Sequence, residues 1–274
     1  STLVAKSSPV QIGSSSWTSV SAGKYHTAAI KSDRLLFTWG WNASGQLGDG
    51  TIVAKSSPVQ IGSSSDWYYV TSGDYYTLAI KTNGTLWGWG TQTYGELGDN
   101  STTTTSSPIQ IGTLSNWSKV EGGNNHVFAI KTDGTLWSWG FNGNGELGDG
   151  TTVNKSSPIQ IGSGYSLVSA GGYYTLAVKT DGTLWSWGSN NYGQLGNGTT
   201  IAGQSAFVKV GLSTWSRVYS GGAIAGAIND NSELWTWGNN GNGQLGLGSF
   251  GIVLSPARVG IAIDWNEIAC GYNH

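Results

Sequence analysis

The sequence predicts an all-β chain assembled from repeats, on three observations. A tryptophan-rich pentapeptide recurs: LFTWG at 36–40, LWGWG at 86–90, LWSWG at 136–140 and again at 184–188, and LWTWG at 234–238. Its spacing of 50, 50, 48 and 50 residues marks an array of supersecondary units, each needing a neighbour to bury its apolar face. Composition agrees: the 274 residues include 44 glycines and 15 tryptophans, and only 10% are charged against a usual ~25%. Finally, no stretch keeps helical periodicity over ten residues, and glycine is too frequent for one to form.

Residues 101–150 show one unit. SPIQI at 107–111 is a short apolar/polar alternation ended by Gly112. WSKVEG at 117–122 alternates again, offering Trp117 and Val120 to a core. HVFAIK at 126–131 is the most apolar run and reads as a well-buried strand. Asp133-Gly134 predicts a tight two-residue hairpin whose central residues both take positive φ. TLWSW at 135–139 returns antiparallel, and the loop FNGNGELGDGT leads to the next copy. Four short antiparallel strands per unit predict a β-propeller blade; a β-solenoid has shorter rungs and lacks such a hairpin.

The units fall at 1–50, 51–100, 101–150, 151–198 and 199–248, with a partial unit at 249–274, in a single domain spanning 1–274. The pattern gives six SP-type strands, six W-x-x-V strands and five each of the other two, 22 in all. Five closed blades need 20 strands and six need 24. Either two strands overhang a five-bladed ring or the chain is a segment of a larger propeller, and the second reading is favoured. The absence of methionine, position 1 included, fits a processed product or part of a longer chain. Open strand edges invite self-association.

The repeat G-x-x-H-T-x-A-I-K-x-D-G-x-L-W-x-W-G-x-N-x-x-G-Q-L-G-D-G-T, followed by S-P-x-x-I, resembles the regulator of chromosome condensation repeat. The resemblance covers the whole chain, with five copies of the core pattern and partial flanking copies. It implies a propeller, usually seven-bladed, that binds proteins on a loop-bearing face. Members include an exchange factor for a small nuclear GTPase, ubiquitin-ligase-associated domains and a bacterial β-lactamase inhibitor. Their partners are unrelated, so the resemblance carries fold more than function. The composition suggests a bacterial or viral member.

Composition narrows the partners. Net charge is −2 and the 13 Lys and Arg are scattered, without the basic stripe that phosphate binding demands. Nucleic acid is therefore not an expected partner, and no apolar run is long enough for a membrane span. The single cysteine, Cys270, excludes an intrachain disulfide framework and a multi-cysteine metal site. Low charge with abundant Ser, Thr, Gly and Asn leans toward an extracellular, cell-surface or virion location. Sequons at Asn42, Asn83, Asn100 and Asn116 are expected by chance in so Asn/Ser/Thr-rich a chain.

Several motifs look chemical and read better as architecture. GNGELG at 143–148 and GNGQLG at 241–246 satisfy G-x-G-x-x-G, yet turn formers follow them where dinucleotide binding needs a helix. Fourteen tryptophans sit at recurring positions and are assigned to packing between blades, where each ring buries ~150–250 Å². Trp41 is the exception and is expected to be exposed. His26, His126 and His274 share one repeat position, filled elsewhere by Tyr76 and Tyr174, and a propeller would disperse them around its ring. They read as polar residues at a strand start, satisfied by a loop carbonyl. Glu96 and Glu146 stand where other copies have Gln46, Gln194 and Gln244, which argues against paired acid/base carboxylates. Asp49, Asp99 and Asp149 belong to turns, and Cys270 reads as a small apolar group in an inner strand. No catalytic, cofactor-binding or metal-ligating set is found, and the chain is not expected to be an enzyme.

Binding is expected where strands stay alike while their tips vary. After the glycine of each W-x-x-V strand come Lys24-Tyr25, Asp74-Tyr75, Asn124-Asn125, Gly172-Tyr173, Gly222-Ala223 and Tyr272-Asn273. The candidate contact set is Lys24, Tyr25, Trp41, Asp74, Tyr75, Asn124, Asn125, Tyr173 and Tyr272, on one face around a central channel. Tyrosine and asparagine with a few charges form an adaptable contact surface. The expected function is a non-catalytic interaction module for a protein or glycan. The alternatives are a regulator of one protein partner, through nucleotide exchange or enzyme inhibition, and a purely structural array.

Overall fold

The computed structural model describes Ser8 and residues 10–274. Among them are twenty strands and no helix, forming five four-stranded antiparallel sheets. Blade one pairs β1 (Trp17–Ala22), β2 (His26–Lys31), β3 (Leu36–Gly40) and β4 (Lys55–Gln60) in chain order. Blade two runs β5 (Trp67–Ser72), β6 (Tyr76–Lys81), β7 (Leu86–Gly90) and β8 (Thr105–Gln110). Blade three comprises β9 (Trp117–Gly122), β10 (His126–Lys131), β11 (Thr135–Gly140) and β12 (Lys155–Ser163). Blade four is built from β13 (Tyr165–Ala170), β14 (Tyr174–Lys179), β15 (Leu184–Gly188) and β16 (Gln204–Val210). Blade five holds β17 (Trp215–Ser220), β18 (Ile224–Asn229), β19 (Leu234–Gly238) and β20 (Val253–Arg258).

The chain is thus all-β and propeller-like, and each blade is displaced by one strand from the sequence unit. The SP-type strand that opens a unit closes the sheet before it. Of the N-terminal SP-type segment, SPVQI at 8–12, only Pro9 lies outside the described residues, and residues 10–12 form no strand, so the count is corrected there as well. The sixth W-x-x-V segment, 265–270, lies in described residues but is not a paired strand, so the count there is corrected. A strand needs a ladder partner, and none of the described residues pairs with this segment.

The Asp133-Gly134 hairpin also differs from expectation. Only Gly134 has positive φ, at 76°, and the Gly134 N–H donates to the Lys131 carbonyl at 2.9 Å. This is a type I turn closed by a left-handed glycine, which spans three residues instead of two. The Asp133 carboxylate explains the choice. Its Oδ1 accepts from the Thr135 N–H at 3.0 Å and hydroxyl at 2.6 Å, a local cap that suits an ordinary backbone at the aspartate.

The core lies between blades instead of within them. Alternation along β6 sends the bulky Tyr76, Leu78 and Ile80 to one face and the smaller Thr77 and Ala79 to the other. The bulky face of each blade meets the small face of the next, where Trp and Val side chains enter the space. Ala28, Ile30, Leu36 and Ile61 of blade one pack on Trp67, Val70, Ala79 and Trp89 of blade two. Leu78, Ile80, Leu86 and Ile111 meet Trp117, Val120, Ala129 and Trp139 in the same way. The pattern repeats between blades three and four and between four and five.

One polar contact recurs at all four joints. The indole N–H of Trp89 donates to the main-chain carbonyl of Gln46 at 2.9 Å, and Trp139 to that of Glu96 at 2.8 Å. Trp187 reaches Glu146 at 2.7 Å and Trp237 reaches Gln194 at 2.9 Å. The acceptor is always the Gln/Glu of the x-L-G turn in the preceding blade. Two residues later a glycine in the left-handed region lies beneath the ring: a Cβ on Gly98 (φ +78°) would stand 2.8 Å from Trp139 Nε1. The four tryptophans are fully buried, as the packing assignment requires.

The histidine position makes a second bridge of the same direction. His26 Nε2 bonds Thr77 Oγ1 of the next blade at 2.9 Å, and His126 Nε2 bonds Thr175 Oγ1 at 3.4 Å. Where the ring is tyrosine, the next blade offers Val127 or Ala225 instead. The longer phenol then reaches a main-chain carbonyl: Tyr76 donates to Gly123 at 2.9 Å and Tyr174 to Ile224. Burial lowers both imidazoles to a pKa of about 4, so they are neutral near pH 7. The partner of the histidines is therefore a hydroxyl and not the expected loop carbonyl.

Gly98→Ala should destabilise the chain by about 2–3 kcal/mol through positive-φ strain and overlap with Trp139. Trp139→Phe leaves a cavity where the second ring was and orphans the Glu96 carbonyl, at a combined cost of about 2–4 kcal/mol. Urea denaturation of the two variants reads both values.

Candidate protein-binding face

Antiparallel order places the β1–β2 tips and the β3–β4 loops of every blade on one side of the molecule. The tips crowd the axis because glycine ends each inner strand: a Cβ on Gly73 would overlap the Tyr76 ring. Neighbouring tips are bonded in sequence around the channel. The Lys24 N–H donates to the Asp74 carbonyl at 3.3 Å, Asp74 to Asn124 at 3.4 Å, and Gly172 to Gly221 at 3.0 Å. They surround a channel of about 730 Å³ whose mouth carries Lys24, Asp74, Asn124, Tyr272 and His274.

Each β3–β4 loop is tied to the tip of its own blade. The Trp41 N–H donates to the Tyr25 carbonyl at 2.8 Å, Thr91 to Tyr75 at 2.9 Å, Phe141 to Asn125 at 2.8 Å, and Ser189 to Tyr173 at 2.8 Å. This contact identifies Thr91, Phe141, Ser189 and Asn239 as the equivalents of Trp41. Behind them, a buried amide clamps the loop. Asn142 Nδ2 donates to Asp149 and to the Thr151 carbonyl, both at 3.1 Å, while its Oδ1 accepts from the Leu147 N–H at 2.9 Å. Asn42 and Asn190 do the same, so the sequon asparagine Asn42 is a buried clamp. Asp49 and Asp149 cap their turns and pair with Lys55 and Lys155 at 3.2 Å.

The exposed products of this scaffold are aromatic. Trp41 is 50% exposed and Tyr25 58%. Tyr25 and Tyr75 stack obliquely at 6.1 Å, with Lys24 Nζ 5.7 Å and 5.4 Å from their ring centres. Lys24 also faces the half-buried Asp74 at 3.7 Å, a long contact at the surface that is worth little energetically. Farther round, Tyr94 meets Phe141 edge-on at 4.9 Å, and Phe141 meets Tyr173 at 6.3 Å. The structure therefore joins Lys24, Tyr25, Asp74 and Tyr75 in one cluster and links Tyr173 to a second. Asn124 and Asn125 lie between the two. Tyr272 is exposed beside Gly222 at the blade-five tip, and Trp41 flanks Tyr25. Tyr94, Phe141 and Tyr192 are additional members. Their signal was present: each is an aromatic residue in a Gly/Asn loop, off the recurring tryptophan positions.

The chemically suggestive groups are structural. Glu146 Oε2 accepts from the Asn144 N–H at 2.8 Å, so GNGELG is a carboxylate-capped turn with no helix after it. Glu96 caps the Tyr94 N–H through Oε2, while its buried Oε1 has no partner. Burial raises Glu96 to a pKa of about 7 and moves Glu146 upward as well. Burial pushes the Cys270 thiol to about 11, consistent with an unreactive group at the channel wall. Among the described residues no three His, Cys, Asp or Glu side chains gather into a metal-binding group.

The regulator of chromosome condensation (RCC1) repeat model matches residues 35–80, 83–130, 133–178, 181–212 and 231–274. A second model of the same repeat matches 17–46, 69–96, 117–146 and 165–194. The chain belongs to the RCC1 repeat family. No curated protein matches it. Among solved structures it is similar to human WBSCR16, with TM-score 0.82 and 23% identity over 93% of this chain and 70% of that one. It is also similar to yeast RCC1 (Prp20) bound to Kap60, with TM-score 0.83 and 19% identity over 93% of this chain and 66% of that one. A further structure, Prp20p from Saccharomyces cerevisiae, gives 0.82 and 19% over 92% and 67%. The RCC1 repeats described here thus span about two thirds of the length of those chains.

The repeat's own alternation of Gln and Glu yields a test. Glu96 has a folded pKa of about 7, raised above the usual carboxylate value. The stability it confers is fully present below about pH 4.5 and is lost as pH rises to 7. Glu96→Gln, which copies Gln46 and Gln194, should therefore leave stability unchanged at pH 4 and raise it by up to about 3 kcal/mol at pH 8. Denaturation midpoints of the two proteins across that range read the difference.

Proposed function

We propose that this chain is a non-catalytic recognition module that holds a protein partner on its loop face. The observation that carries the reading is the aromatic arc, from Trp41 and Tyr25 through Tyr75 and Tyr94 to Phe141, Tyr173 and Tyr192, on loops fixed by buried amides. Exposed aromatic rings with few competing charges supply contact area at low entropic cost. Rigid loops reduce the ordering cost of association further. The family context agrees: the similar yeast protein Prp20 was solved bound to Kap60, and a second structure of it accompanies its binding properties to Gsp1p and histones. Glu146, His26 and His126 are engaged in turns and joints, which supports a binding role over an enzymatic one.

A random dodecapeptide display library panned on the chain provides the test. Selected peptides should bind the wild type and lose at least tenfold in affinity to Tyr25→Ala/Tyr75→Ala, with the denaturation midpoint kept. Peptides that bind this variant undiminished would move the site elsewhere.

A further inference from the structure

The prolines of this chain, Pro9, Pro58, Pro108, Pro158 and Pro256, share one place in the repeat, and the unit at 199–248 has Phe207 there instead. In the blades this place lies on the outermost strand: Pro58 on β4, Pro108 on β8, Pro158 on β12 and Pro256 on β20, with Phe207 on β16. The outermost strand of a blade is a sheet edge, and a proline there removes an N–H that an incoming strand would need. Among the described blades, blade four alone lacks this guard.

Register fixes which way the main chain of β16 faces. The Ile61, Ile111 and Val259 N–H groups donate inward to the carbonyls of Leu36, Leu86 and Leu234 at 2.8–2.9 Å. Val210 stands opposite Leu184 in the same way, and Val208 opposite Ser186. Alternation then turns Lys209 and Phe207 outward, N–H and C=O together. The prolines of the other blades agree, since each leaves the ladder of its own sheet in place. The upper end of the edge is already occupied, because the Gly150 N–H of blade three donates to the Ser205 carbonyl at 3.0 Å. The stretch from Ala206 to Lys209 stays open, and both of those residues are exposed. On the side toward blade three, the Phe207 ring lies 4.7 Å from that of Trp187, and Lys209 stands opposite Trp185.

We propose that the outer edge of blade four takes up an extended segment of a protein partner as a fifth, antiparallel strand. Residues of the segment opposite Phe207 and Lys209 each exchange a donor and an acceptor with the edge. A proline blade lacks one of those donors and sets its ring against the incoming strand. Cross-strand pairing selects an apolar, β-branched residue beside Phe207 and an acid beside Lys209. The site uses none of the aromatic arc on the loop face.

The probe is a fluorescein-labelled nonapeptide of alternating valine and threonine with a central glutamate, followed by anisotropy. It should bind the wild type saturably, and Phe207→Pro should weaken it by about tenfold or more. The other blades carry proline at this place, so the fold accommodates it. Pro108→Val, which returns an amide to the edge of blade two, should bind a second peptide per chain. Tyr25→Ala/Tyr75→Ala should bind the probe like the wild type, which separates this site from the loop face. Absence of saturable binding, undiminished binding to Phe207→Pro, or an unchanged stoichiometry in Pro108→Val would overturn the proposal. So would a concentration-dependent dimer abolished by Phe207→Pro, which would make a second copy of the chain the occupant.

Discussion

The contact on which the structure depends is a single hydrogen bond repeated four times, from a buried indole N–H to the main-chain carbonyl of the preceding x-L-G turn. A propeller blade has no interior of its own, because a four-stranded sheet can bury a face only against another sheet. Apolar area supplies most of the attraction and is indifferent to small slides between sheets. The indole bond is directional and the glycine beneath it admits the ring in one place. Together they fix how far and at what angle each blade meets the next. The histidine–threonine and tyrosine–carbonyl bridges nearer the axis add a second point, which prevents rotation about the first.

Much of this was legible in the chain itself. The period, the strand boundaries within a residue or two, and the packing role of the recurring tryptophans follow from alternation and spacing. So does the interpretation of the G-x-G-x-x-G copies as turns, since no helix-forming sequence follows them. What escaped was the pairing between units. Thr77 and Val127 occupy the same place in their repeats, yet one answers a histidine and the other a tyrosine, a correspondence visible only once neighbouring blades are placed side by side. The Asp133-Gly134 turn escaped for a local reason: the carboxylate cap on Thr135 competes with the backbone preference that the dipeptide suggests. At the candidate face, Tyr25, Tyr75, Trp41 and Tyr173 were singled out by their variation among copies. Tyr94 and Tyr192 were overlooked because their loops vary little elsewhere.

The same division of labour explains why architecture and recognition are separable here. Residues that repeat, including Asn142 in its loop and Trp139 in its sheet, are consumed by hydrogen bonds and burial. Residues that differ from copy to copy stand on those fixtures and face outward. A loop clamped by a buried amide can exchange Trp41 for Thr91, Phe141 or Ser189 without altering the strand beneath it. Such a scaffold accommodates partner choice through side chains alone, and relatives of one fold can serve unrelated partners on that basis.

The central claim is that the indole bonds lock each blade to the one before it. Proton exchange at the indole nitrogens, followed by NMR on protein labelled with ¹⁵N at tryptophan, addresses it directly. The account predicts that the Nε1 protons of Trp89, Trp139, Trp187 and Trp237 exchange only through unfolding, while that of Trp39 exchanges readily. Fast exchange at all five positions, or equal protection of Trp39, would contradict it.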